Sequence, residues 1–292
     1  MITDQMNNAA QPEVKPSVEP QNPPKSVKPR FATWTTLLLA VGIFALSALL
    51  GTLTASIIMK LRGGSVLSMT PDVTLIYYLI QMVPVIVFLV ARRVKMGYNS
   101  GIHLTARPGT LPMLLWGIVC LLAVSVVIEP LLSLFPTTAY DMVQQSLGTG
   151  VWAILSTVVC APILEEILFR GLILESVRER LGVAWAIVLS ALLFGLVHGN
   201  LMQGINAFVI GLILGYVYVK TRSLTATIII HAFNNAIGYV VMAYFGDAGE
   251  LTFRELISNN TLYWTIYAVC AAIFLYAMVN LVVSLRNDQL SE

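Results

Sequence analysis

Residues 151–177 read VWAILSTVVCAPILEEILFRGLILESV, an apolar run with Glu165, Glu166 and Arg170 near its middle. About 20 apolar residues cross a hydrocarbon core of about 30 Å, so this run is long enough to span a membrane. A charged side chain at the bilayer centre costs about 2.5–3.5 kcal/mol, and membrane helices carry such residues where they pair or function. We therefore expect both the fold and the chemistry to centre on this segment.

The rest of the chain extends the same apolar pattern. Of its 292 residues, 57% are hydrophobic and 11% are charged, and the mean hydropathy is +0.81. Soluble domains carry about 25% charged residues, so we predict an all-α polytopic membrane protein with about eight transmembrane helices. The candidate spans lie near residues 33–59, 73–91, 110–128, 151–177, 183–199, 202–219, 224–244 and 261–285.

The first 30 residues differ in composition from the spans, because they hold six of the 13 prolines and almost no large apolar side chain. Such a segment cannot offset its ordering entropy by burial, so residues 1–30 are predicted to be a disordered cytoplasmic tail. Residues 31–292 form the predicted transmembrane helical domain, whose first run is a retained helix rather than a signal peptide. With this topology 13 Lys and Arg residues fall on cytoplasmic segments and three on outer segments. This bias places both termini in the cytoplasm.

The paired carboxylates of the fourth span predict a division of roles. Adjacent helical residues point about 100° apart, whereas residues at i and i+4 share a face. We therefore assign Glu166 to an ion pair with Arg170, and Glu165 to a cavity in which it acts as general base. The alternative is a buried structural salt-bridge cluster of all three side chains.

Two histidines and an asparagine accompany these carboxylates. His198 ends the fifth span, while His231 and Asn235 lie one helical turn apart in the seventh. An imidazole and a carboxamide at this spacing can present two hydrogen-bond donors to a developing oxyanion. Taken separately, His198 is more often an interfacial residue than a catalyst, and a polar patch between helices explains His231 and Asn235 as well as a functional role does. Together with Glu165 they predict one polar pocket inside the membrane.

Three motifs follow one another along the chain: Glu-Glu-x-x-x-Arg at 165–170, Phe-x-x-x-His at 194–198 and His-x-x-x-Asn at 231–235. This order resembles the CAAX protease and bacteriocin-processing family (CPBP, or Abi) of intramembrane proteases, which includes type II CAAX prenyl endopeptidases. The resemblance covers about residues 150–245, the predicted catalytic core. It implies hydrolysis of a peptide bond in a membrane-associated peptide or protein, either prenylated or a bacteriocin or pheromone precursor, in a bacterial cell membrane.

The same resemblance implies roles for the motif residues. Glu165 and His198 would hold and activate the attacking water, and His231 and Asn235 would stabilise the tetrahedral oxyanion. Glu166 completes the catalytic set, and the supporting residues are Arg170 and Phe194.

Metal dependence is left open by the sequence. Glu165, His198 and His231 are an acceptable zinc set with water in the fourth position, but they come from three helices and His-Glu-x-x-His is absent. The alternative is a metal-free mechanism in which apolar surroundings make the glutamate basic enough to deprotonate water. The cofactor is therefore either Zn²⁺ or none. The three cysteines, each within an apolar run, are interpreted as small buried residues.

Two other functional classes compete with the protease. Buried ionisable residues also form relays in transporters, although no inverted repeat is evident. A catalytically silent immunity or scaffold protein could bind a peptide in the same pocket. The net charge of +2 gives no indication of nucleic-acid binding. Between spans three and four, residues 138–147 alternate polar and apolar side chains like a surface helix or lid.

Helix geometry raises one conflict in depth. With a rise of about 1.5 Å per residue, Glu165 and His198 lie about 24 and 22 Å from the turn at Gly182. His231 lies only about 12 Å from the basic turn at 220–223, measured in the same way. Either that turn lies deeper in the membrane or the seventh span is tilted or shifted outward.

Overall fold

The structure is a computed structural model of the chain, and it describes residues 33–64, 69–98, 100, 102, 104, 109–135, 148–245 and 257–290. The predicted tail, residues 1–30, and the predicted surface helix, residues 138–147, lie outside the described residues. Within the described part every regular element is helical, which confirms the all-α prediction.

Each of the eight predicted spans corresponds to one helix. The helices are α1 (Trp34–Leu61), α2 (Pro71–Lys95), α3 (Leu111–Val127), α4 (Val151–Leu181), α5 (Val183–Leu196), α6 (Leu201–Thr221), α7 (Leu224–Phe245) and α8 (Asn260–Leu290). Six of them are long and apolar enough to cross a membrane, whereas α3 and α5 have 17 and 14 residues. At about 1.5 Å per residue α5 is about 21 Å long, which is less than the hydrocarbon thickness. His198 lies two residues beyond its last residue, Leu196.

Helix α4 is irregular where the sequence places proline. Two π-helical segments, Leu155–Cys160 and Glu166–Leu174, enclose the short α-helical segment Ala161–Glu165 that contains Pro162. Such wide turns are rare and occur frequently at functional sites. Both glutamates thus lie at the junction between an α-helical and a π-helical segment.

The helices pack so that α4 lies centrally. It contacts α2, α5 and α7, while α1 packs on α2 and α8 packs on α3. A buried apolar core joins α2, α3, α4, α6 and α7. Helices α5 and α6 approach very closely at two glycines, because a Cβ atom built on Gly195 would lie 2.5 Å from the carbonyl oxygen of Gly204.

The turn between α6 and α7 is tied to α4 by an ion pair. Arg222 in this turn donates from Nη2 to Oε2 of Glu175 at 2.8 Å, and Glu175 lies well inside α4, before Gly182. Burial lowers the pKa of Arg222, but the hydrogen bond and charge of Glu175 outweigh it and raise the pKa above its usual value. A Cβ atom built on Gly215 of α6 would lie 3.2 Å from Cγ2 of Ile187 on α5, so this turn and Gly182 lie at a similar level and the Arg222 side chain reaches inward to Glu175.

Candidate active site

A fully buried ion pair on α4 forms the base of the site. Nη1 of Arg170 donates to Oε1 of Glu166 at 2.8 Å, and neither side chain is more than 1% exposed. Nη2 of Arg170 also donates to the carbonyl oxygen of Gly211 on α6 at 3.3 Å. The ion pair predicted from the i, i+4 spacing is present, and it ties α4 to α6.

His231 of α7 lies between the two glutamates. Its Nδ1 is 2.9 Å from Oε1 of Glu166, and its Nε2 is 3.6 Å from Oε2 of Glu165. Because Glu166 is paired with Arg170, its oxygen acts as an acceptor, and the Nδ1–H group of His231 donates to it. A neutral imidazole would then direct the lone pair of Nε2 toward the Glu165 carboxylate. His231 thus lies between the two carboxylates, with one ring nitrogen facing each of them.

Glu165 has a second partner that the sequence analysis missed. The hydroxyl of Tyr78 on α2 donates to Oε1 of Glu165 at 2.9 Å. The available signal was two adjacent phenols, Tyr77 and Tyr78, in the apolar second span. Nothing in their spacing relates them to residues of the fourth span, so the pairing depends on how α2 packs on α4.

The ring of Phe194 holds the cationic and imidazole groups in place. The guanidinium carbon of Arg170 lies 4.7 Å from its centroid. The rings of His198 and His231 meet Phe194 edge to face, with centroids 5.0 and 5.8 Å away. Phe194 thus contacts all three of these groups.

His198 is oriented by its own helix end. Its Nδ1 lies 2.7 Å from the carbonyl oxygen of Phe194, so the Nδ1–H group donates there and Nε2 is not used by this bond. The side chain is half-buried and lies at the end of α5. His198 is joined to the centre of the site through Phe194.

The spacing of Asn235 from His231 suggested an oxyanion donor, but its amide bonds a backbone carbonyl oxygen of α4. In the π-helical segment of α4 the N–H group of Ala161 bonds the carbonyl oxygen of Ser156. The next bond in this register would join residue 162 to Thr157, but Pro162 has no N–H group. The amide nitrogen Nδ2 of Asn235 donates to the Thr157 carbonyl oxygen instead, at 2.9 Å. His231 and Asn235 therefore do not direct their donors to a common point in this conformation.

The proposed metal set was tested against this geometry. Within the described residues no three His, Cys, Asp or Glu side chains are close enough together to hold a metal ion. Glu165 and His231 are near each other, but each is also engaged with a neighbour, Tyr78 or Glu166. The residues present do not form a three-ligand zinc site in this conformation, and we derive no step through a metal ion.

Residues 147–237 match the family described as Type II CAAX prenyl endopeptidase Rce1-like. This part of the chain is similar to that family. A relative from Bacillus subtilis (strain 168), named "Putative membrane peptidase YdiL", is 32% identical over 95 residues, which cover 32% of this chain and 37% of that protein. No solved structure matches the chain significantly.

The matched region contains all three motifs and confirms the resemblance expected from them. Together with the apolar helices, it identifies an integral membrane protein. Tyr78 lies outside the matched region, on a helix that precedes it.

Proposed function

We propose that the protein is an intramembrane endopeptidase that hydrolyses a peptide bond of a membrane-associated peptide or protein. The observation that carries this proposal is the environment of Glu165. Its carboxylate is buried, lacks the arginine partner that neutralises Glu166, and lies between the Tyr78 hydroxyl and Nε2 of His231. A carboxylate in such surroundings is suited to accept a proton from water.

In the proposed reaction Glu165 takes a proton from a water molecule while the water oxygen bonds to the scissile carbonyl carbon. The electron pair of the carbonyl double bond moves to its oxygen, and protonated His231 stabilises the resulting oxyanion. The C–N bond then breaks, and Glu165 returns the proton to the leaving amine. His198 contributes Nε2 as an acceptor that orients the attacking water.

Glu166 and Arg170 act on this reaction through His231. The Glu166 oxygen that accepts from Arg170 also accepts from the Nδ1–H group of His231, and this second bond fixes the imidazole ring and its tautomer. Asn235 keeps its role as an oxyanion donor in this proposal, because its amide has a second N–H group besides the one used by Thr157.

The decisive experiment compares wild type with Glu165→Gln in cleavage of membrane-anchored peptides by purified protein in proteoliposomes. General base catalysis contributes about 10²–10⁴-fold, and the variant should lose about that much of kcat. Glu179→Gln is the matched control, since Glu179 is on the same helix, its side chain is 32% exposed, and its ion pair with Arg93 is 3.5 Å long. Equal activity of the two variants would reject the proposal.

The same preparation separates the competing classes of function. A peptide that binds wild type and Glu165→Gln equally, with no cleavage by either, indicates an immunity or scaffold protein. Solute or proton uptake that is lost in Glu165→Gln and His198→Gln, again without cleavage, indicates a transporter. Activity that survives a zinc chelator but not Glu165→Gln eliminates the zinc mechanism.

The substrate and topology are also part of this proposal. The name of the Bacillus relative supports a peptide or protein substrate, either prenylated or a bacteriocin or pheromone precursor. We propose that both termini lie in the cytoplasm of a bacterial cell, and the basic ends of α2, α4 and α6, which meet on one side, support this topology. If single cysteines are introduced at either terminus, their labelling by a reagent added outside the cell would contradict this topology.

A further inference from the structure

The two adjacent glutamates are held by chemically different donors. One oxygen of Glu166 accepts hydrogen bonds from the guanidinium of Arg170 and from the imidazole N–H group of His231. Glu165 receives the neutral hydroxyl of Tyr78 on Oε1, at 2.9 Å. A neutral donor orients a carboxylate without cancelling its charge, whereas a guanidinium neutralises it. Tyr78 therefore suits a group that must remain basic.

The contact also determines which oxygen of Glu165 is available. With Oε1 bonded to Tyr78, Oε2 is the oxygen that lies 3.6 Å from Nε2 of His231. Without the hydroxyl, the carboxylate would be free to rotate about its terminal torsion, which is broad and roughly two-fold in proteins. Tyr78 thus restricts Glu165 to an orientation in which one oxygen faces the imidazole.

Tyr78 is placed by tertiary packing rather than by its neighbours in sequence. Helix α2 packs along both π-helical segments of α4, and the Tyr78 side chain lies half-buried against the apolar core. Tyr77 points to a different neighbour, because a Cβ atom built on Gly51 of α1 would lie 2.9 Å from its Cδ2 atom. The two phenols are therefore a matched pair, of which only Tyr78 contacts Glu165.

We propose that Tyr78 is a positioning residue for the general base, and that its hydroxyl holds the Glu165 carboxylate with Oε2 toward His231 and the attacking water. This inference depends on the proposed peptidase function. It extends the working site to α2, which lies outside the Rce1-like region.

The test compares Tyr78→Phe with Tyr77→Phe in the proteoliposome cleavage assay, with kcat and KM measured separately. Misorientation of a catalytic group costs up to about 100-fold, so Tyr78→Phe is expected to lower kcat by about 10-fold to 100-fold. KM should change by less than about 3-fold, because Tyr78 orients the base and does not bind substrate. Tyr77→Phe should retain wild-type kcat and KM.

A second variant separates loss of the hydrogen bond from loss of the fold. With 4-aminophenylalanine at position 78 an N–H donor replaces the hydroxyl, and kcat should recover most of what Tyr78→Phe loses. A Tyr78→Phe protein with the kcat of Tyr77→Phe would overturn the inference, as would a raised KM with unchanged kcat. Equal inactivity of Tyr78→Phe and the amino variant would overturn it too, because the phenol would then serve the packing.

Failure of the proposed function would be recognised by a different result. If Glu165→Gln cleaves as fast as wild type, the peptidase mechanism itself is wrong. If Glu165→Gln is inactive while Tyr78→Phe is fully active, only the positioning role of Tyr78 is lost.

Discussion

Replacement of Arg170 by methionine should strongly destabilise the protein. Arg170 is completely buried, pairs with Glu166 at 2.8 Å, donates to the Gly211 carbonyl oxygen at 3.3 Å and lies 4.7 Å from the Phe194 centroid. Methionine retains an apolar chain of similar length but removes the charge and every donor. The Glu166 carboxylate would remain buried with His231 as its principal partner.

The magnitude follows from leaving a charge buried without its counter-ion. Removing one member of a buried pair costs about 3–5 kcal/mol, much of it the desolvation of the remaining charge. By the scaling for domains of comparable size, this corresponds to a decrease of roughly 10 °C in Tm. In Glu166→Gln/Arg170→Met both charges are absent. Since replacing a whole buried pair is often close to neutral, the double variant should regain most of the lost stability.

Thermal unfolding in detergent micelles measures these differences. Arg178→Met is the matched control, because Arg178 is on the same helix, its side chain is 36% exposed, and its partner Glu175 keeps Arg222 as a second cation. An exposed pair contributes about 0–1 kcal/mol, so this variant should unfold close to wild type. Our account of the ion pair is refuted if Arg170→Met is as stable as Arg178→Met, or if the double variant is no more stable than Arg170→Met.

Two further predictions concern helix packing and the irregular turn of α4. Gly195→Ala should lower the free energy of unfolding by about 1–3 kcal/mol, because the new Cβ would lie 2.5 Å from a backbone carbonyl oxygen of α6. Gly42→Ala, with no atom within 4 Å of its Cβ, should not. Asn235→Ala should cost about 1–3 kcal/mol by leaving the Thr157 carbonyl without its donor, whereas Asn234→Ala removes only a 3.4 Å contact. Thermal unfolding tests both pairs, and equal midpoints within either pair would contradict the corresponding argument.

The arrangement along each helix could be predicted from the sequence, because lipid imposes a length and a helix imposes a period. The eight spans follow from runs of about 20 apolar residues. The pairing of Glu166 with Arg170 follows from their i, i+4 spacing, and the contact persists although this part of α4 is π-helical. Both inferences need only distances within one segment.

Relations between helices were much less accessible. Tyr78 reaches Glu165 across 87 positions of sequence, and neither residue type nor spacing relates them. Arg222, in the turn between α6 and α7, pairs with Glu175 of α4, and no spacing along the chain relates the two residues. Spacing along a chain measures depth only from the nearest turn, and the axial shift of one helix against another is determined by packing and by such contacts.

The role of Asn235 shows how two local rules combine into a result that neither predicts alone. Proline removes an N–H group wherever it occurs, but which carbonyl loses its partner depends on the hydrogen-bond register of the turn. In an α-helical register Pro162 would leave the carbonyl of residue 158 without a partner, whereas the π-helical register shifts the vacancy to Thr157. That carbonyl is the one Asn235 reaches.

Two identical side chains at consecutive positions thus acquire different properties from their surroundings. Glu166 lies beside Arg170, a group that is always charged, so its carboxylate is ionised and serves as a fixed acceptor for His231. Glu165 is bonded instead by Tyr78 and faces the far nitrogen of the same imidazole. The phenol holds this carboxylate without neutralising it. The guanidinium therefore keeps Glu166 in the framework of the site, while the contacts of Glu165 suit the role of general base that we propose for it.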